Sequence, residues 1–338
     1  MTRRRAATEQ TWWFATCTKT QLCNARVGWD GPTGLGTSNG VKGSDGRPLV
    51  SGDIHHDEGV LDMSRFTRLC AAAATGCAAV LALSTPALGS VAQDSPAAPN
   101  FSGAIALSNC SGSVVRWQTS QASDKALVLT NGHCYDFMGA HEVVVNEPSG
   151  RSVTLLNSNG STAGTVSTVR LLYATMSRTD VALYQLSKTY RDLQSTYGVP
   201  AFTLASTKPA PENQAIQVLS GYWKIAYNCN LNGFAYRLHE DVWTWRTSLR
   251  YSDGGCQVIG GTSGSPVLDS SRTQIGINNT INENGRRCTI NNPCEEDRNG
   301  NISVHLHRGY GQETWIFYTC LSNNLITLSK PGCRLPSP

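Results

Sequence analysis

The chain has 338 residues, of which 40% are hydrophobic and 15% are charged. Charged residues make up about 25% of an average globular domain, so this chain is poor in the Lys and Glu that fill exposed helices. That composition excludes an all-helical bundle or a coiled coil. The formal net charge of +4 is too small for a nucleic-acid-binding surface, and we expect no nucleic-acid partner.

The most apolar segment, LCAAAATGCAAVLALS, occupies residues 69–84. A short positive segment that begins at Met63 precedes it, and small residues suited to cleavage follow it up to residue 92, which predicts a secretory signal peptide over residues 63–92. A membrane anchor and a buried helix are the alternatives. The apolar run is shorter than the roughly 20 residues of a membrane span. We therefore expect a secreted, extracellular protein without stable membrane association.

Residues 1–62 precede this signal and show no helical or strand periodicity. Because a signal peptide belongs at an N-terminus, we interpret residues 1–62 as a disordered, non-native upstream extension and Met63 as the start. Removal of residues 1–92 leaves eight cysteines. An even number in an exported chain indicates up to four disulfides.

The remaining chain begins with a linker, rich in Pro, Ala and Ser, at residues 93–100. Short β-type runs then recur over residues 104–186 and again over residues 215–318, separated by Gly, Asn and Ser. This pattern predicts an all-β sandwich or barrel arrangement. A helical turn is expected at residues 190–195 and a short terminal helix at residues 320–328. The Pro-rich segment 207–211 divides two β units, which we place at residues 101–206 and 207–338.

The segment GGTSGSP at residues 260–266 contains the best candidate nucleophile, Ser263. Glycines flank it and an apolar strand follows, so the backbone N–H groups of Gly261 and Ser263 can point together as an oxyanion hole. A plain Gly/Ser turn is the alternative interpretation.

A serine hydroxyl needs a base, and a buried acid must orient that base. His133 follows a strand-like run and precedes a cysteine, and Asp180 leads directly into an apolar strand. Taken singly, His133 is equally well explained as a structural histidine, and Asp180 as a solvated turn residue.

Together these segments resemble motifs of the chymotrypsin/trypsin-like serine proteases, particularly the exported bacterial members. TNGHC at residues 130–134 resembles the family's T-A-A-H-C, DVAL at 180–183 its D-I-A-L, and GTSGS at 261–265 its G-D-S-G-G. CSGSVV at 110–115 resembles the segment that precedes the histidine motif. The order of His, Asp and Ser, with gaps of 47 and 83 residues, suits the family. The resemblance covers about residues 101–330.

The resemblance implies two antiparallel β-barrels of the chymotrypsin type with a short C-terminal helix. His133 and Asp180 would lie in the first barrel and Ser263 in the second. It also implies a serine endopeptidase that acts through an acyl-enzyme, in which His133 is the base, Asp180 orients it and Ser263 attacks the scissile carbonyl. A Cys110–Cys134 disulfide would brace the histidine.

Two departures from the family pattern concern activation and specificity. Thr262 stands where trypsin-like zymogens carry an Asp that pairs with a newly cut N-terminus, so we expect activity without that switch. Gln257 stands where the trypsin type has an Asp, and a pocket without a carboxylate gives no reason to prefer Arg or Lys. The candidate pocket residues are Gln257, Gly276, Asn278 and Asn279.

The other cysteines are assigned to the pairs Cys229–Cys256, Cys288–Cys294 and Cys320–Cys333, although eight cysteines allow 105 connectivities. Zinc at Cys288 and Cys294 with His305 and His307 is a weaker alternative, as is calcium at residues 295–297, and we expect no metal or cofactor. The expected partners are protein or peptide substrates, and the expected state is a monomer. A catalytically inactive binding or adhesion module and an esterase are the competing functions.

Overall fold

The computed structural model describes residues 98–210 and 213–338. The upstream extension, the signal peptide and most of the linker predicted from sequence lie outside these residues. Neither helix in the described part of the chain has the length and apolarity needed to cross a membrane.

The first half of the described chain forms a closed antiparallel barrel of six strands. Its hydrogen-bonded order is β1-β5-β6-β7-β3-β2, and β2 pairs back with β1 to close the ring. Strand β4 is added against β6, and β8 pairs in parallel with β2. The bounds are β1 (Ala104–Ala106), β2 (Ser111–Arg116), β3 (Lys125–Thr130), β4 (Val143–Pro148), β5 (Ser152–Leu156), β6 (Thr162–Thr175), β7 (Val181–Thr189) and β8 (Phe202–Thr203).

The second half forms another six-membered ring of paired strands, in the order β11-β16-β13-β12-β9-β10. Pairing of β10 with β11 closes this ring, and β14 and β15 extend it outward from β10. The bounds are β9 (Gln214–Ser220), β10 (Ile225–Glu240), β11 (Trp243–Tyr251), β12 (Pro266–Leu268), β13 (Gln274–Ile281), β14 (Cys294–Glu296), β15 (Ile302–Ser303) and β16 (Gly309–Glu313). The all-β, two-barrel fold predicted from sequence is confirmed.

Hydrophobic alternation explains why these segments form barrel walls. In β5 and the middle of β6, buried residues alternate with more exposed ones, as expected for strands with one face in a core. Both faces of β2 and β3 are largely buried, because these strands also contact the C-terminal segment. The strands that lead to the predicted site are therefore among the most firmly packed.

Two short helices complete the fold. Helix α1 (Tyr190–Tyr197) begins at the capping box formed by Thr189 and Asp192 and ends at Gly198, which has φ +65°. Its position agrees with the predicted helical turn. Helix α2 (Ile316–Thr319) lies where sequence periodicity favoured the end of a strand.

The predicted terminal helix at residues 320–328 is wrong in its position. Those residues form a two-stranded hairpin, β17 (Leu321–Ser322) and β18 (Leu325–Ile326). Asn323 and Asn324 connect the strands with φ of 49° and 62°. Two consecutive residues with positive φ are typical of a tight hairpin turn, for which asparagine is well suited.

The two barrels pack directly against each other. The indole N–H of Trp243 donates to the Met138 carbonyl at 3.0 Å, and that of Trp245 donates to the Met176 carbonyl at 3.1 Å. Four disulfides are present, and they are the four pairs considered from sequence: Cys110–Cys134, Cys229–Cys256, Cys288–Cys294 and Cys320–Cys333. Such a set is typical of proteins from oxidising, extracellular or periplasmic environments.

Candidate active site

His133 lies just beyond the end of β3, in a segment fixed on both sides. The side-chain amide of Asn131 donates to the Asp180 carbonyl at 2.8 Å. On the other side, Cys134 is bonded to Cys110 and its carbonyl accepts from the Asn109 amide at 3.1 Å. The backbone around His133 is therefore held to the residues that directly precede β7 and β2.

Asp180 holds the imidazole through two contacts. The Asp180 carboxylate is fully buried; Oδ1 accepts from the backbone N–H of His133 at 3.0 Å, and Oδ2 lies 2.7 Å from His133 Nδ1. This second contact places a proton on Nδ1 and leaves Nε2 able to accept one. The imidazole side chain keeps 19% of its surface exposed, so it remains open to the cleft.

Opposing effects set the protonation of His133. Burial lowers the pKa of His133, but the charge of Asp180, its hydrogen bond and the charge of Glu240 together raise that pKa above the ordinary value of 6.5. The ring thus gains basicity from a carboxylate that is itself fixed in place, as a general base requires.

Ser263 lies in a turn that precedes β12 and touches the first barrel. Its carbonyl accepts from the backbone N–H of Ser111 at 2.8 Å. The next residue, Gly264, has φ +78°, and a Cβ built there would lie 2.1 Å from the Thr130 hydroxyl and 2.3 Å from the Ser111 carbonyl. Only glycine allows the turn to come this close to the strand that leads to His133.

Ser111 was not singled out from sequence, although it joins several parts of this site. Its buried hydroxyl donates to the Gly261 carbonyl at 3.1 Å, accepts from the Tyr222 N–H at 3.1 Å and lies 3.1 Å from the Ser220 hydroxyl. Ser111 thereby connects the first barrel to the turn around Ser263 and to the end of β9.

The N–H groups of Gly261 and Ser263 are available to a ligand. Within residues 98–210 and 213–338, neither N–H donates a hydrogen bond. The preceding carbonyl, that of Gly260, accepts from the indole N–H of Trp223 at 2.7 Å. Gly261 has φ +85°, and a Cβ there would lie 2.9 Å from the same indole nitrogen. Trp223 therefore fixes the peptide that carries the Gly261 N–H.

Ser263 and His133 line the same cleft between the barrels. The Ser263 hydroxyl donates to the Asn279 carbonyl at 3.3 Å, and among the described residues it makes no hydrogen bond to His133. In ligand-free enzymes, hydrogen bonds between catalytic groups are often long and tighten when substrate binds.

Thr262 occupies the place at which an activation switch of the trypsin type would need a carboxylate. Its side chain is buried, its hydroxyl donates to the Ile259 carbonyl at 2.5 Å, and the Asn278 amide donates to its carbonyl and hydroxyl oxygens at 3.2 and 3.0 Å. These contacts hold the turn without a carboxylate.

The candidate pocket residues do not all face the cleft. Asn278 and Asn279 line it, and both polar atoms of the buried Asn279 amide are without hydrogen-bond partners among the described residues. Gln257 and Gly276 do not line it, which corrects the expectation for those two positions. Gln257 is exposed next to the Cys256 disulfide, and Gly276 packs against Leu249 inside the second barrel.

Two carboxyl groups in the cleft were missed. Glu240, at the end of β10, and Glu283, just after β13, both line it. Burial raises the pKa of each to about 7. Ungapped counting from Ser263 predicted a pocket without a carboxylate; it missed both groups because they come from distant positions on other segments.

Metal-ligating groups give little support for an ion site. In the described part of the chain, Cys110, His133 and Cys134 form the one group of metal-ligand type whose donor atoms lie close together. Both of these cysteines are in a disulfide, so neither offers a thiolate. His239 and Arg237 contact Glu296, and Arg250 and Arg308 contact Glu295, as internal ion pairs of the second barrel.

Comparison with known proteins identifies a family model that matches part of the chain. Residues 110–277 match the family model for the trypsin-like peptidase domain. No curated protein sequence matches the chain.

Among solved structures, the chain is similar to the MamO protease domain from Magnetospirillum magneticum in its apo form. The identity is 12%, the match covers 65% of this chain and 96% of that one, and the TM-score is 0.42. The active form of the Rv3671c protease from M. tuberculosis is 15% identical over 71% of this chain and 85% of that one, with a TM-score of 0.38. A Glu endopeptidase in complex with MPD is 15% identical over 63% and 86%, with a TM-score of 0.34.

Proposed function

Because residues 110–277 belong to the trypsin-like peptidase family, we propose that this chain is a secreted serine endopeptidase that hydrolyses peptide bonds through an acyl-enzyme. The observation that carries the proposal is the buried Asp180 carboxylate 2.7 Å from His133 Nδ1, in the cleft that also contains Ser263. A binding module has no need of a buried acid that orients an imidazole in the same cleft as a serine hydroxyl.

The proposed reaction begins at Ser263. Its hydroxyl oxygen attacks the scissile carbonyl carbon while His133 Nε2 takes the hydroxyl proton. Asp180 keeps the other proton on Nδ1 and stabilises the imidazolium that forms. Negative charge develops on the former carbonyl oxygen, where the N–H groups of Gly261 and Ser263 donate to it.

The tetrahedral intermediate then collapses. The bond between carbonyl carbon and nitrogen breaks, His133 gives its proton to the leaving amine, and the acyl group stays on Ser263. Water repeats the sequence, with His133 again as the base, and releases the acid and the free serine. Thr262 and its neighbours hold the turn by neutral hydrogen bonds, so this mechanism uses no ion pair with a new N-terminus.

Secretion is part of the proposal. Four disulfides support an oxidising compartment, and the signal peptide expected at residues 63–92 would direct the chain there. Substrates are proteins or peptides.

The test is covalent labelling with a fluorophosphonate probe combined with hydrolysis of casein. We expect the parent protein to be labelled and to cleave casein, and Ser263→Ala to do neither. The matched control is Ser265→Ala, which removes a buried hydroxyl two residues away and should keep both activities. A folded parent that stays unlabelled would point to the binding-module alternative, and a labelled protein inactive on casein to an esterase.

A further inference from the structure

Two of the residues that line the cleft are glutamates. Glu240 and Glu283 line the cleft together with His133, and neither Lys nor Arg is among its lining residues. Neither of the two acids forms an ion pair with any described residue. The other buried glutamates, Glu295 and Glu313, do have cationic neighbours.

Glu240 is the more deeply placed of the two acids. It is 6% exposed, and its Oε1 accepts from the backbone N–H of Asn291 at 2.8 Å. Its Oε2 is buried without a partner that meets hydrogen-bond geometry, although the nearby Thr280 hydroxyl favours the charged form. A buried carboxylate without a cationic partner is costly, so this oxygen is suited to a group that arrives with the substrate.

Hydrogen bonds join Glu283 and Glu240 through one residue, Asn291. The Asn291 carbonyl accepts from the backbone N–H of Glu283 at 2.9 Å, while the Asn291 N–H binds Glu240. The Cys288–Cys294 disulfide closes the loop that carries Asn291. Both residues line the cleft, and Asn291 and this disulfide brace the corner to which they belong.

Aromatic rings connect this corner to the histidine. Trp243 is the cross-strand neighbour of Glu240, its ring centroid lies 6.1 Å from that of Phe137, and the Phe137 centroid lies 6.2 Å from that of His133. Aromatic faces next to a carboxylate suit a Lys or Arg side chain, whose stem packs on rings while its head reaches the charge.

The corner is displaced from the point of bond cleavage. The Ser263 hydroxyl contacts the Asn279 carbonyl, whereas Glu283 lies four residues beyond Asn279 in the chain, just after the end of β13. A peptide in extended conformation advances by about 3.3 Å per residue, so a side chain that reaches the corner belongs to a residue away from the scissile bond.

We propose that the corner formed by Glu240, Glu283 and Asn291 is a specificity subsite that binds a Lys or Arg side chain of the substrate, at a position separated from the scissile bond by at least one residue. This proposal rests on the proposed peptidase function and adds a substrate class to it. It also replaces the expectation from sequence that the cleft has no reason to prefer basic residues.

The test is a set of peptides in which Lys, Arg or the neutral norleucine is placed in turn at each position around one cleavable bond. We expect kcat/KM to be at least tenfold higher for Lys than for norleucine at one displaced position. Glu240→Gln and Glu283→Gln should each reduce that ratio several-fold. Because the ratio compares two peptides hydrolysed by the same variant at the same pH, a change in the His133 pKa, which the charge of Glu240 helps to raise, affects both rates and leaves the ratio unaltered. Glu313→Gln is the matched control: it alters another buried carboxyl with a raised pKa, one outside the cleft, and should leave the ratio unchanged.

A second measurement separates this proposal from the peptidase function. Ser263→Ala should bind the Lys peptide more tightly than the norleucine peptide in a fluorescence anisotropy titration, and adding Glu240→Gln should remove the difference. Equal binding, or a Lys preference confined to the residue directly before the scissile bond, overturns the subsite even if the enzyme is active. If Ser263→Ala prefers the Lys peptide in binding but the parent protein shows neither hydrolysis nor probe labelling, the subsite is supported and the peptidase function is overturned.

Discussion

The indole of Trp223 offers a direct test of how the oxyanion hole is held. Trp223→Phe keeps an aromatic ring against Tyr222, whose ring centroid lies 4.9 Å away, but removes the N–H that donates to the Gly260 carbonyl at 2.7 Å. The peptide between Gly260 and Gly261 is then free to rotate, since Gly261 has no Cβ to restrict it. Rotation would turn the Gly261 N–H away from the developing oxyanion.

The size of the effect follows from the bond that is lost. A hydrogen bond of this kind contributes about 1 kcal/mol, which corresponds to about a fivefold change in the population of the held peptide. Complete loss of one oxyanion donor costs roughly 10²–10³ in kcat, and this sets the upper limit. We therefore expect kcat and kcat/KM to fall together by roughly 3- to 10-fold, with KM within about twofold, because the interaction is made in the transition state.

The assay is steady-state hydrolysis of one peptide by the parent, Trp223→Phe and Tyr222→Phe. Tyr222→Phe is the control: it changes the adjacent ring but keeps the backbone N–H that donates to Ser111. Trp223 is 39% exposed, so its replacement should alter the melting temperature little. An unchanged kcat for Trp223→Phe, or an equal fall in kcat for Tyr222→Phe, would refute the proposal that the Trp223 indole holds the peptide between Gly260 and Gly261.

Two further predictions concern the base and the junction between the barrels. Because His133 must be neutral to act as the base, kcat/KM should fall as the pH drops through the His133 pKa, which lies above 6.5. Asp180→Asn removes the negative charge that raises this pKa, so the acidic limb of the pH–kcat/KM profile should move to lower pH. The same variant should lower kcat by about 10⁴. An acidic limb that stays at the same pH in Asp180→Asn would contradict the assignment of His133 as the base that Asp180 orients. Ser111→Ala should destabilise the protein by about 1–3 kcal/mol in denaturant unfolding, because it leaves buried partners unpaired, and should lower kcat. Ser113→Ala, on the same strand, removes a buried hydroxyl that has no partner among the described residues and should be nearly neutral; equal losses for both variants would exclude a specific role for Ser111.

The barrel fold was accessible from sequence because it depends on short local patterns. The three candidate catalytic residues were identified by the resemblance of their segments to family motifs, because each local pattern taken singly also has a structural explanation. His133 follows an apolar strand, Asp180 precedes one, and Ser263 lies between glycines before another. Strand alternation and Gly-rich turns are local signals, so they can be identified without knowledge of the contacts between distant segments.

The acidic corner was not accessible because it depends on contacts between distant segments. Glu240 ends a 16-residue strand, and nothing in its neighbours indicates that a loop fifty residues later donates a backbone N–H to its carboxyl. Ser111 was missed for a similar reason: its hydroxyl bonds to groups more than 100 residues away. The terminal hairpin was mistaken for a helix because two consecutive asparagines in left-handed conformation override the apolar spacing around them.

The same long-range contacts explain how two barrels produce one precise site. The Thr130 hydroxyl donates to the Ser111 carbonyl at 2.8 Å, and the Ser111 N–H donates to the Ser263 carbonyl. Thr130 also ends the strand that leads to His133, so the base and the nucleophile are positioned from a common point. A shift of the second barrel would strain these buried bonds before it separated His133 from Ser263. The hydrogen bonds at Ser111 therefore couple the packing of the barrels to the geometry of the cleft.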